Sequence, residues 1–408
     1  MGMPVDPVLV AHLLRRATFG PFPGQVASAS AAATTFDALV AEVLAATPPP
    51  LPTAPDLTLK GTAPITWWFA RMGDPNAGLA EKLTWFWHGH LTSSRAKVNH
   101  WGAMWQQHLL LRAHALGNFR TLLQAITVDA AMLWYLDGGG STAAAPNENY
   151  ARELMELFGL GIGNYTEADV TAGAYALTGW RLDRQAGIAR FMPANGPRRA
   201  VTFLGRQVST AGEVVDAVCD HPACAPWIAG KLHTYLAGEP PTPERLAKLA
   251  TVFRAANLEI KPLVTAILAD STFPALRRNR PRYPVEWIVG AMAALGLTNA
   301  VAATRYVTGA GQIPFRPPSV AGWPTGMGWL APSQALARDA VAAKAPAIDA
   351  VARAKDPVAA ALERCSLYEV SDRTLGALRA AAAGVTNAQR RAGTVLGLAI
   401  ASPEFALA

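Results

Sequence analysis

Residues 81–94 read EKLTWFWHGHLTSS, and this stretch decides the class of fold. Glu81, Trp85 and His88 stand at i, i+4 and i+7, so they share one face of a helix. Large aromatic side chains crowd around them. Trp67, Trp68, Trp85, Trp87, Trp101, Trp105 and Trp134 all fall between residues 65 and 136, seven of the chain's twelve tryptophans. Apolar residues recur at helical spacing on both sides, predicting helices over about 65–72, 78–90, 98–115 and 118–128.

The same periodicity runs outward in both directions. Asp6-Pro7 is an N-cap followed by proline at the first helical position, opening a helix that ends near Ala17. A Pro/Thr-rich stretch at 46–64 predicts an extended surface connection. Asn147 opens a helix that runs to Phe158, where Gly159, Gly161 and Gly163 end it. Thr166 and Asp169 form the signature of a further helix start. Further helices are predicted at 211–219, 223–236, 243–256, 259–269, 284–295 and 298–307. After a long Gly/Pro/Trp loop at 309–332, five more follow at 333–343, 345–352, 356–364, 372–383 and 386–400. Strand-like alternation is confined to one candidate hairpin near 188–205. The fold class is therefore all-α: one large multi-helix domain spanning 1–408, with a lobe boundary near 210 as the alternative organisation.

Composition narrows the function classes. Of 408 residues, 51% are hydrophobic and 16% charged, enough apolar surface for a large core. The net charge of +7 is spread thinly, with one concentration at Arg277, Arg278, Arg280 and Arg282. Nucleic-acid binders concentrate basic groups in a stripe with base-reading or stacking side chains, so nucleic acid is not an expected partner. Cys219, Cys224 and Cys365 form no zinc pattern, and an odd count argues against a disulfide framework. The first residues lack a basic region followed by a long apolar core, and no run reads as a transmembrane helix, so the sequence as it stands is read as cytoplasmic.

Chemistry is predicted in two segments. Glu81 and His88 lie two turns apart, roughly 10 Å by helical rise, too far to share one metal directly. His88 and His90 point to nearly opposite sides unless Gly89 breaks the helix. The second segment, 147–158, reads NENYARELMELF. Tyr150, Leu154, Leu157 and Phe158 form its apolar stripe, Glu153 lies at the edge, and Asn149, Arg152 and Glu156 lie on the far side. Dense Asn, Arg and Glu opposite a packed stripe, in so hydrophobic a chain, predicts a pocket-facing surface.

Five motifs, WFWHGHL at 85–91, LRAHALGNFRTLL at 111–123, PNENYARELMELFGLG at 146–161, ALTGW at 176–180 and RPPSVAGWPTGMGWL at 316–330, resemble in order the signatures of the domain-of-unknown-function 1800 family. The resemblance spans essentially the whole chain. It implies a largely helical bacterial protein, often exported and encoded beside a partner of another uncharacterised family, and it brings no established activity. Two departures stand out. The family's histidine-asparagine-histidine reads His88-Gly89-His90 here, and its histidine-aspartate segment ahead of Thr202-Phe203-Leu204-Gly205 is absent.

Three readings of function follow. The first is a hydrolase or lyase acting on a saccharide-like or cell-envelope substrate. Glu148 or Glu153 would work with Glu81 as acid and base, His88 would carry the proton, and Asn149 and Arg152 would orient the substrate. His90 is a further substrate contact, and Trp180 and Trp323 would stack on a ring. The second reading is an enzyme holding a divalent metal on His88, His90 and a carboxylate. The third is a non-catalytic partner or scaffold, whose polar cluster is consumed by internal ion pairs. The first reading requires Glu81, His88 and the 147–156 helix to meet in one cavity.

Overall fold

A computed structural model describes residues 4–58 and 61–408. Among these residues the chain forms 22 α-helices and two small two-stranded sheets. Local chemistry sets the boundaries. The Asp6 carboxylate accepts from the Val8 amide at 2.8 Å and starts the Pro7–Ala17 helix. Helices Ala63–Met72, Gly78–His90, Trp101–Ala113 and Phe119–Thr127 follow. The connection before them has no helix or strand over 46–56; residues 59 and 60 of that stretch lie outside the described residues. In the second half, Cys224–Ala237, Pro243–Ala255, Pro284–Leu295 and Asp372–Ala383 occupy the ranges that the periodicity predicts. The glycine-rich loop runs from Gly311 to a short 3-10 turn at Gly326–Leu330.

Four helices lie where the sequence reading placed none: Gln25–Ala32, Phe36–Ala45, Ala130–Tyr135 and the four-residue Pro403–Ala406. Gln25–Ala32 is a short Ala/Ser segment with little amphipathic contrast, so its helicity comes from packing. Phe36–Ala45 does carry a local signal, since the Thr35 hydroxyl accepts from the Ala38 amide at 3.1 Å. The single hairpin expected near 188–205 is two hairpins. Trp180–Asp183 pairs with Ile188–Phe191, and Val201–Phe203 pairs with Arg206–Val208. Leu204 and Gly205 both have positive φ (47° and 75°), the geometry of a two-residue turn whose twist matches its strands.

The interior is two apolar clusters. One gathers Val10, Leu83, Trp87, Phe119, Phe158, Phe203, Val218 and Phe253. The other gathers Trp68, Trp85, Trp105, Trp287, Phe315 and Phe405. Residues on both sides of position 210 belong to the first cluster, including Phe203 and Val214. Cys219, Cys224 and Cys365 are buried free thiols. No single described helix is long and apolar enough to cross a membrane; one pair, Gln25–Ala32 with Phe36–Ala45, passes by length and composition but is bent by 116°.

The Gly78–His90 helix lies between the two clusters. Leu79, Leu83 and Trp87 pack into the first and Trp85 into the second. Glu81, Lys82, Thr84 and His88 are also buried. A helix that enters apolar surroundings this way must find partners for its charges. Lys82 donates to Glu286, which also receives both terminal nitrogens of Arg280 at 2.7 and 3.0 Å. Part of the basic run is therefore interior structure. Arg280 and Arg282 are buried, while Arg277 and Arg278 reach Glu369 at the surface.

Glu286 is the carboxylate that both Lys82 and Arg280 contact. Glu286→Gln leaves two buried cations without it, and the expected cost is about 3–5 kcal/mol in denaturant unfolding. A loss below about 1 kcal/mol would show that the node does not hold the Gly78–His90 helix in place.

Candidate functional site

The 147–158 segment starts where expected and ends unusually. Asn149–Glu153 is α-helical, and Leu154–Gly159 continues it as a π-helical turn. Its last carbonyls have no donor within the helix, as at any helix end. Side chains from elsewhere supply them. The Trp227 indole N–H donates to the Leu157 carbonyl at 2.9 Å, and His90 Nε2 lies 3.0 Å from the Phe158 carbonyl. That contact sets the tautomer: Nε2 carries the proton, and Nδ1 is left as the acceptor.

The polar face of this segment meets solvent and its own neighbours. Arg152 forms a two-pronged pair with Glu167 at 2.7 and 2.8 Å and approaches Glu148 at 3.5 Å. Glu148 accepts from the Thr171 hydroxyl at 2.9 Å. Asn149 is exposed, its amide capped by the Asn147 side chain. Glu153 is half-buried, and that burial, with Glu156 nearby, raises its pKa. None of these side chains reaches Glu81 or His88.

Glu81 is fully buried and fully engaged. It accepts from the Trp68 indole at 2.6 Å, from both terminal nitrogens of Arg112, and lies 3.5 Å from Arg71 Nε. Two arginines and an indole thus hold it as a buried, ion-paired carboxylate. His88 is packed against Trp68, Trp85, Phe315 and Trp323, and its Nε2 accepts the Phe315 amide at 3.0 Å. Phe315 adopts a positive φ of 63°, so this hydrogen bond pins a strained backbone position. Burial drives the His88 pKa down to about 3 and the His90 pKa to about 4, leaving both rings neutral near pH 7. The helix stays regular through Gly89, so the two histidines diverge. Among the described residues no three His, Cys, Asp or Glu side chains cluster with metal-binding geometry.

The groups expected to meet in one acid–base cavity therefore do not assemble. Glu81 sits inside an arginine clamp, His88 inside an aromatic box, and Glu148, Asn149 and Arg152 lie at the surface. Trp180 is also apart, packed on Phe191 across its hairpin at a ring separation of 5.5 Å.

His90 and Trp323 do converge, on a cleft of about 490 Å³ that the carboxylates do not line. It opens where the two cores meet. The Gly78–His90 helix gives Trp85, Phe86 and His90, the Cys224–Ala237 helix gives Trp227, Lys231 and Tyr235, and the glycine-rich loop gives Trp323. Tyr283, Gln312, Thr234 and Thr325 add further polar groups to its lining. Trp323 stacks on Trp85 with ring centres 4.8 Å apart and planes 21° apart. Gly322 makes that seating possible: a Cβ there would lie 2.1 Å from the Gly89 carbonyl oxygen, and φ is +81°. The Trp323 indole N–H is buried and finds no acceptor among the described residues. Gln312 and Tyr283 each hold a backbone amide, of Val285 at 2.9 Å and Gly326 at 3.3 Å, which keeps the wall rigid.

Phe86, Trp227, Lys231, Tyr235 and Tyr283 are the lining residues that sequence reasoning missed. Trp227, Lys231, Thr234 and Tyr235 recur at i, i+4, i+7 and i+8 on one helix face, the pattern of any amphipathic helix, so no local signal separates them from core packing.

Comparison with known proteins agrees with the architecture. Residues 12–407 match the family model described as Protein of unknown function (DUF1800), nearly the whole chain, and the protein belongs to that family. No curated protein and no solved structure matches it.

Burial makes the histidines an acid sensor of folding. The charged imidazolium is penalised in the native state, so stability is whole above about pH 6.5 and declines as pH falls from there toward about 3 for His88. Each such histidine contributes about 1.4 kcal/mol per pH unit across that window. His88→Gln keeps an acceptor for the Phe315 amide, and it is expected to flatten the unfolding free energy between pH 6.5 and 4.5 by roughly that slope. An unchanged slope would show that His88 is not held neutral.

Proposed function

We propose that the protein acts by binding: its aromatic cleft takes up a bulky, ring-bearing and largely apolar molecule. The observation that carries this reading is the cleft itself. Its volume of about 490 Å³ lies within the range of small-molecule sites, and its walls are mostly apolar, with six Trp, Tyr and Phe rings among aliphatic and proline side chains and a few polar groups converging on one space. Rigid rings offer contact area at small entropic cost, and the unpaired Trp323 N–H is a donor that a ligand acceptor can satisfy.

A hydrolase or lyase on a saccharide-like substrate gains less support. Such chemistry divides acid and base roles between two carboxyl groups. The cleft is lined by neither Asp nor Glu, and Glu81, the best-placed carboxylate in the sequence, is neutralised by Arg112 and Arg71. A metal-dependent mechanism lacks a ligand set among the described residues. The ion pairs of Arg152 with Glu167 and Glu148 fit the reading in which the polar helix at 147–158 is structural and the protein is a non-catalytic partner.

The test is binding of a fluorescent hydrophobic probe, N-phenyl-1-naphthylamine, followed with wild type and three variants. Trp227→Ala and Trp323→Ala are expected to weaken binding by on the order of tenfold each, because each removes a ring wall. Glu148→Gln, outside the cleft, is expected to bind like wild type. Equal affinities across all four proteins would overturn the assignment.

A further inference from the structure

The charges around the cleft are one-sided. Lys231 is the only formally charged side chain that lines it, and it makes no ion pair among the described residues. It stands at the exposed rim, its ammonium 4.4 Å from the centre of the Trp227 ring. Partial desolvation by the surrounding cleft wall lowers its pKa, with no carboxylate acting against the shift. His90 beside it is neutral and adds no charge of either sign.

The groups behind two of the lining rings repeat the sign. Tyr235 and Tyr283 line the cleft, and cations press against their rings. Lys82 lies 5.7 Å from the Tyr235 ring centre, and Arg280 lies 5.7 and 4.9 Å from those of Tyr235 and Tyr283. Lys82, Arg280 and Arg282 are all nine-tenths buried or more, and Glu286 is the carboxylate they gather around. Arg282 donates to the Gly20 carbonyl, a neutral oxygen, and its Nη1 has no partner. Burial pulls the Lys82 pKa down to about 7, but Arg280 and Arg282 alone outnumber Glu286 and leave an excess of positive charge behind the aromatic floor. Water does not screen that field as it would at a surface, because low-dielectric protein lies between.

We infer that the cleft selects anions: its ligand is an organic molecule with a ring-bearing apolar body and a carboxylate, sulfonate or phosphate group seated at the Lys231 ammonium. This rests on the binding function proposed above and names the ligand's charge. The rings pack among Trp85, Phe86 and Trp227. The acidic group exchanges water for Lys231 at the rim, where it keeps part of its hydration and the desolvation cost stays small. A cation of the same shape meets Lys231 and the buried node with like sign. A neutral molecule of that shape binds through its rings alone.

Two probes that share a ring skeleton separate the cases: 8-anilinonaphthalene-1-sulfonate, an anion, and N-phenyl-1-naphthylamine, which is neutral. Wild type is expected to bind the sulfonate more tightly, with that preference shrinking as salt rises. Lys231→Gln is expected to weaken the sulfonate about three- to tenfold and to leave the neutral probe within about twofold, while Lys231→Arg retains the preference. Equal binding of the two probes to wild type, or equal weakening of both by Lys231→Gln, overturns anion selection and leaves the binding function standing. Failure of both probes to bind overturns the cleft as a ligand site, and the inference with it.

Discussion

Two neighbouring charges near the start of one buried helix, Glu81 and Lys82, set the frame for the rest. Each would be prohibitively expensive to dehydrate alone. Glu81 is met by Arg112, Arg71 and Trp68 from one side, and Lys82 by Glu286 from the other. The opposed pairs fix the rotation of the Gly78–His90 helix about its axis. With that rotation fixed, Leu83 and Trp87 face one core, Trp85 faces the other, and Phe86 and His90 are left facing the cleft. A buried ion pair adds little net stability over an apolar substitute, and its best-attested role is to specify one arrangement. Here that arrangement is the seam between the two cores.

The cleft then follows from what meets at the seam. The end of the 147–158 segment offers carbonyls that need donors, and His90 and Trp227 donate to them, tying the cleft wall to that segment. From the opposite direction the glycine-rich loop reaches Gly89 so closely that only a residue without a side chain fits at 322, which lays Trp323 on Trp85. The motif that looked most like a catalytic helix thus serves as a buttress. Its polar face is held by Arg152, Glu167 and Thr171 at the surface.

Much of the fold was legible in the sequence. Capping residues and 3.6-residue periodicity located most helices within a few positions, as at Pro284–Leu295 and Asp372–Ala383, because those signals are local. Gln25–Ala32 escaped because its helicity depends on packing partners; the strand alternation at 188–191 and 201–204 is legible, but its pairing is not, because the partner strands Trp180–Asp183 and Arg206–Val208 are too short to announce themselves. The site was less legible. Glu81 among apolar residues reads the same whether it faces a substrate or an arginine, and the arginines that answer it lie on two other helices. His90 and Trp323 were singled out from the sequence and do line the cleft; Lys231 and Tyr235 were not, since their helix face has the composition of an ordinary amphipathic surface. Only the meeting of distant segments distinguishes these cases.

The most direct measurement is a crystal structure of the protein soaked with a diverse set of aromatic and acidic fragments. Bound fragments are expected to concentrate between Trp85, Phe86 and Trp227, with acidic groups near Lys231. Fragments gathered on the polar face of residues 147–156, with the cleft empty, would contradict the account.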